Sequence, residues 1–189
     1  MTKGKIVIIS GPSGSGKTTL HKKLLSSKKF KGRLVKSVSV TTRPIRQGEK
    51  GGRDYVFVPE RKFLHQIKTN HFLEWQKVFD HYYGTPQKTV HELLEAGKNV
   101  LLCIDVKGAN VVSQKYPEAI RIFIKGPSLA ALKKRLKDRG SEGALALKVR
   151  LQTARRELRE AKNYDYILVN DNLAKALREL GQILFARLP

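Results

Sequence analysis

The chain of 189 residues is 40% hydrophobic and 29% charged, a balance that suits one folded domain with a filled core and excludes a disordered chain. Its 38 Lys and Arg against 16 Asp and Glu give a net charge of +22, which raises nucleic acid as a partner. The basic residues are spread over almost every segment, with no aromatic-and-basic stripe and no dense basic arm, so no dedicated nucleic-acid partner is expected. The lone Cys103 excludes an internal disulfide and leaves a zinc site without its usual ligands. No apolar run approaches the roughly 20 residues of a membrane-spanning helix, so the expected location is cytoplasmic, away from any membrane.

In chain order, an apolar run at 6–9 predicts a buried strand, and the pattern at 20–25 predicts a helix. Between about 37 and 84 the texture changes to short alternating or aromatic stretches, 37–40, 55–58 and 72–78, parted by Gly-rich and charged turns. This predicts an inserted, mostly β lobe. Strands follow at 100–104 and 120–124, then a helix at 129–137, an irregular stretch with two glycines, Gly140 and Gly143, a helix at 147–158, a strand at 166–169 and a helix at 173–184. The alternation predicts an α/β fold: a parallel sheet covered by helices in three layers. The expected organisation is a single domain over 1–189, with a core of about 1–36, 85–134 and 157–189, an acceptor-binding insertion at about 37–84 and a mobile lid at about 135–156.

Gly11-Pro12-Ser13-Gly14-Ser15-Gly16-Lys17-Thr18 matches G-x-x-x-x-G-K-[ST] at every fixed position, after a strand and opening a helix. Such a loop wraps backbone N–H groups around phosphates, with a helix N-terminus adding partial positive charge. Lys17 would sit on the β and γ phosphates of ATP, and Thr18 would ligate Mg²⁺. A dinucleotide fingerprint is excluded, because Lys17-Thr18-Thr19 follows where a third glycine belongs.

The insertion reads Ser39-Val40-Thr41-Thr42-Arg43-Pro44-Ile45-Arg46-Gln47-Gly48-Glu49, then Asp54-Tyr55, Phe72-Leu73-Glu74-Trp75 and Tyr82-Tyr83-Gly84-Thr85. Guanidinium forks and phenolic hydroxyls donate to phosphate, and Glu74 offers two acceptors to a base edge that carries donors, as guanine's does. Together with the phosphate loop these segments resemble the guanylate kinase family from residue 6 to about 185. The resemblance implies ATP-dependent phosphorylation of GMP, with dGMP as a second acceptor. It implies that Arg43, Arg46, Tyr55 and Tyr83 hold the GMP phosphate and that Ser39, Glu74 and Thr85 contact guanine. Asp105 matches the family's acidic residue near acceptor and metal, the lid arginines fall on Arg135, Arg139 and Arg150, and Asn170 lies where the family contacts adenine. In this reading Lys17, Arg43, Arg135, Arg139 and Arg150 are the catalytic cations. Two positions depart from the family's pattern: Cys103 stands where an acid is common, and Lys107 where Gln is.

Three other functions compete. An inactive guanylate-kinase-like interaction module would typically have a damaged phosphate loop, whereas Gly11, Gly16, Lys17 and Thr18 are all present. A ribosyl bisphosphate phosphokinase would have no use for Glu74, since a sugar phosphate offers no guanine edge. Nucleic-acid binding, suggested by the charge, would weaken steeply as salt rises.

Overall fold

The structure is a computed structural model that describes residues 3–138 and 144–188. Five strands form a parallel sheet in the order β2-β7-β1-β8-β9: β1 (Ile6–Ser10), β2 (Leu34–Lys36), β7 (Asn99–Cys103), β8 (Ile120–Lys125) and β9 (Tyr166–Val169). Every residue of β1 is buried, and its side chains alternate between two cores. Ile6 and Ile8 pack with Val90, Leu94, Ala109 and Val112 on one side, while Val7 and Ile9 pack with Leu20, Leu24, Leu180 and Leu184 on the other. A strand covered on both faces must be apolar throughout.

The first core is closed by α3 (Gln87–Glu95) and α4 (Val106–Lys115), the second by α1 (Lys17–Ser26) and α7 (Leu173–Arg187). Side-chain caps set where two of these helices start. Asp105 caps α4 by accepting from Gly108 N at 2.7 Å, and Asn172 caps α7 by accepting from Ala174 N and Lys175 N, both at 3.0 Å. The fold therefore has the expected three-layer α/β form.

A second sheet, in the order β4-β3-β6-β5, is built from β3 (Val40–Thr41), β4 (Val56–Phe57), β5 (Phe72–Val78) and β6 (His81–Pro86). It also carries α2 (Glu60–Lys68), a helix the sequence reading did not foresee. That helix is fixed by Phe63, which is fully buried and stacks on Phe72 and Tyr82. Among the contacts that tie this lobe to the core, Lys22 of α1 pairs with the Asp54 carboxylate, Lys36 Nζ at the end of β2 donates to the Asp54 carbonyl oxygen at 2.7 Å, and Lys115 Nζ of α4 donates to the Leu73 carbonyl oxygen at 2.7 Å. On the far side of the cleft, α5 (Leu129–Lys137) and α6 (Ala144–Arg159) pack together, and a 3₁₀ turn, Glu160–Asn163, leads from α6 toward β9.

Candidate active site

The loop between β1 and α1 takes its shape from glycine. Gly11 has φ +131°, and a Cβ there would strike the carbonyl oxygen of Ile124, so only glycine lets the loop pass over β8. Gly16, the N-cap of α1, lies in the left-handed region and carries no side chain to cap the helix. The first-turn N–H groups of α1 are thus kept for an external anion. Lys17 Nζ folds over the loop and donates to the carbonyls of Gly11 and Pro12 at 2.5 and 3.1 Å.

Two residues brace this loop from outside. Asn170, 5% exposed at the end of β9, donates its Nδ2–H to the Ser15 carbonyl at 2.8 Å. Arg135 of α5 donates to the Asn170 carbonyl at 3.1 Å and, more weakly, to that of Gly14 at 3.4 Å. Neither side chain lines the cleft.

In the lobe, Arg43 is buried and its Nη2 donates to both carboxylate oxygens of Glu49, at 2.9 and 3.0 Å, while Nη1 donates to the Pro44 carbonyl at 2.6 Å. Glu49 also accepts from the Arg46 N–H at 2.9 Å, so one carboxylate holds both arginine segments in register. The Arg43 guanidinium lies 5.4 Å from the Tyr55 ring centre, and Tyr55 meets Tyr83 edge-on at 6.0 Å. Burial and neighbouring charge push the Tyr55 phenol well above its ordinary value, so it stays a hydrogen-bond donor.

Glu74 lies deeper, at the seam between β5 and α4. Its Oε1 accepts from the Thr85 hydroxyl at 2.6 Å, and its Oε2 sits so close to Gly108 that a Cβ there would collide with it. Burial first, and then repulsion from Asp105, raise the Glu74 carboxyl to about 7, against the lowering effect of the Thr85 hydroxyl and Lys115. Thr85 is fully buried and does not line the cleft; its hydroxyl meets Glu74.

One cleft of 990 Å³ joins these parts. It is lined by Gly11, Lys17 and Thr18 from the loop, by Ser39, Arg43, Arg46, Tyr55, Glu74 and Tyr83 from the lobe, by Asp105 at the end of the core sheet, and by Arg150 of α6. Arg150 reaches across it to Phe79 at the β5–β6 turn, 4.6 Å from the ring centre. Arg139 lies outside the described residues. Lys107, on the first turn of α4, is exposed and is not part of the cleft wall.

Glu157 was not foreseen. With Leu145, Ala146, Val149, Arg150 and Thr153 it forms the cleft-facing stripe of α6, a spacing of three and four that the helix sequence carries in plain sight. Burial raises its carboxyl to about 7; Lys17 opposes the rise and Asp105 adds to it. Burial likewise raises Asp105, opposed by the Gly108 N–H and by Lys107 and Lys17. Two acids and the loop lysine therefore share one electrostatic environment.

The family model for guanylate kinase matches residues 3–187. The chain belongs to the guanylate kinase family. It is 43% identical over 188 residues to a guanylate kinase of Synechococcus sp. (strain JA-3-3Ab), covering 100% of this chain and 85% of that one. A guanylate kinase of Caldanaerobacter subterraneus subsp. tengcongensis is 42% identical, over 97% of this chain and 88% of its own. The crystal structure of guanylate kinase from Anaplasma phagocytophilum superposes with a TM-score of 0.80 at 33% identity, covering 100% of this chain and 88% of that one. Guanylate kinases are nucleoside monophosphate kinases, and the cleft has the two-sided construction such an enzyme requires. Among the described residues no helix is long and apolar enough to cross a membrane.

Proposed function

We propose that the cleft binds ATP on the phosphate loop and GMP against the lobe, and that the residues divide the work of phosphorylating GMP between them. The observation that carries this reading is the single cleft in which loop, lobe and α6 side chains converge. The uncapped N-terminus of α1 and the loop Gly11–Thr18 hold the phosphates of ATP, with Lys17 leaving its two carbonyls for the β and γ phosphates. Asn170, outside the cleft wall, serves ATP binding by keeping its Nδ2 on the Ser15 carbonyl and so holding the loop in shape.

On the acceptor side Arg43, Arg46, Tyr55 and Tyr83 hold the GMP phosphate. Glu74 reads the N1–H and N2–H₂ edge of guanine, Thr85 fixes its carboxylate, and Ser39 adds a hydroxyl at the cleft wall. Near pH 7 the GMP phosphate is largely dianionic, its second pKa being about 6. One of its oxygens attacks the γ phosphorus in line, the bond to the β-bridging oxygen breaks, and no general base is needed. Arg150, with Arg139, supplies charge on the transferring group as α6 closes and water is excluded. Arg135 acts through the loop it braces.

Mg²⁺ fits this wall. Thr18, Asp105 and Glu157 are oxygen donors facing one cleft, and among the described residues no group of three His, Cys, Asp or Glu could hold a metal ion. That suits a cation that arrives with nucleotide phosphates and keeps most of its water. When bound it neutralises charge on the β and γ phosphates. A coupled ADP-release assay over GMP, AMP, CMP and UMP tests the reading. Turnover with GMP far above the other three is expected, and equal turnover of AMP would contradict it.

A further inference from the structure

On the acceptor side of the cleft lies a small, partly open cavity of 80 Å³, sized for a phosphate group rather than a whole nucleotide. It shares Thr18, Ser39, Arg43, Arg46, Tyr55 and Tyr83 with the cleft, and it contains a cation that the mechanism above leaves unused. Lys36, the last residue of β2, donates from Nζ to the Asp54 carbonyl at 2.7 Å and lies 5.4 Å from the Tyr55 ring centre. An ammonium has three N–H donors, so two remain.

The carboxylates nearby are already engaged. Asp54 is paired with Lys22 and Arg53 and accepts from the Lys50 N–H, while Glu49 is paired with Arg43. Among the described residues no carboxylate oxygen lies within 4.0 Å of Lys36. The other walls add no charge. Burial raises the Cys103 thiol and keeps it protonated, so this wall residue brings no anion to Lys36. His21 is held neutral at about 4, by burial first and then by Lys36 and Lys22.

A half-buried ammonium without a counter-ion is costly unless an anion arrives to pair with it. Burial already lowers the Lys36 pKa, with Cys103 first and then Asp54 and Glu49 opposing and Lys22 assisting, and a dianion beside it would reverse that. We propose that Lys36 is a further phosphate-binding residue of the acceptor site, contacting the GMP phosphate beside Arg43 and Arg46. The proposal rests on the reading that this phosphate sits among Arg43, Arg46, Tyr55 and Tyr83.

The test is the affinity of the full chain for GMP and for guanosine, measured by calorimetry or by displacement. Lys36→Gln keeps a donor for the Asp54 carbonyl but removes the charge. It should weaken GMP about tenfold, the scale of one charge-assisted hydrogen bond, and leave guanosine unchanged; Lys36→Arg should restore most of the loss. Lys36→Met serves as a second neutral variant should Gln disturb folding, with a melting curve as the check. Equal weakening of both ligands would make Lys36 a mere prop for the lobe, and no weakening of either would leave it without a role; both outcomes overturn the proposal. Arg46→Gln separates the two readings. If it abolishes the preference for GMP over guanosine while Lys36→Gln does not, the acceptor site stands and Lys36 falls. If neither substitution changes that preference, the phosphate binds elsewhere and both fall.

Discussion

The donor and acceptor halves of the cleft are built on opposite principles. The donor half is backbone: Gly11 clears the Ile124 carbonyl, Gly16 leaves α1 uncapped, and Asn170 and Arg135 hold the loop carbonyls of Ser15 and Gly14 from outside. The acceptor half is side chain: Arg43 on Glu49, Thr85 on Glu74 and Tyr83 against Tyr55, drawn from four segments of the lobe. A backbone cradle recognises what every nucleoside triphosphate has in common. Selectivity needs acceptors and donors that fit one base and no other, so it falls to the half whose polar groups are held by partners.

The largest expected effect is on the donor side. Lys17→Ala removes the loop's own side-chain cation and should lower kcat by on the order of 10²–10³, with an unchanged melting curve because Lys17 meets only two loop carbonyls. Near-native turnover in a steady-state assay would break the donor account. A smaller contrast separates the two arginines. Arg150→Met should lower kcat on the order of tenfold with little change in the KM for GMP, since an interaction made chiefly in the transition state is lost. Arg135→Met should instead raise the KM for ATP, because it frees the Asn170 and Gly14 carbonyls that steady the loop. Identical kinetic signatures would erase the distinction between a cation that acts on the substrate and one that acts through the loop.

How much of this was legible beforehand follows the same division. The strands β1, β7, β8 and β9 stood out because most are covered on both faces and so read as continuous apolar runs. The edge strand β2 did not, being three residues long and ending in Lys36. Within the lobe, α2 was hidden because Phe63 is its sole buried residue. The loop's geometry followed from eight consecutive residues. The acceptor residues were named through family resemblance, and their pairing could not be read at all, because whether Glu49 pairs with Arg43 or faces solvent is decided by tertiary placement. Lys36 and Glu157 were missed for the same reason: each reaches the cleft from an element whose sequence points first to packing.

The smallest expected effect concerns pH. The Glu74 carboxyl is raised to about 7 by burial and Asp105, so part of the free enzyme carries it protonated near neutrality, with one oxygen turned donor. Guanine's edge needs both oxygens as acceptors, so GMP should bind more tightly as pH rises through about 7 and a few-fold more weakly as pH falls below it. The same shift acts on folding with the opposite sense. A carboxyl whose folded pKa lies above its unfolded value adds stability at low pH, and that stability is lost as pH rises from the unfolded value of 4.5 through about 7. GMP affinity and the melting temperature, followed over the same pH range, check both trends. In Glu74→Gln the Glu74 share of each should vanish, leaving the titration of Glu157 and, for the affinity, that of the GMP phosphate itself.

The central claim, that specificity resides in the side-chain half, is tested most directly by the ratio of kcat/KM for GMP to kcat/KM for AMP in Glu74→Gln. The substitution keeps size and the contact with Thr85 but turns an NH₂ toward guanine's donors, removing a charge-assisted hydrogen bond of about 1.5–3 kcal/mol, or at least roughly tenfold. AMP lacks the N1–H and the 2-amino group, so its use should hold steady or improve. A ratio that falls tenfold or more is the predicted result; an unchanged ratio would make Glu74 a structural carboxylate at the seam of β5 and α4 and would contradict the account.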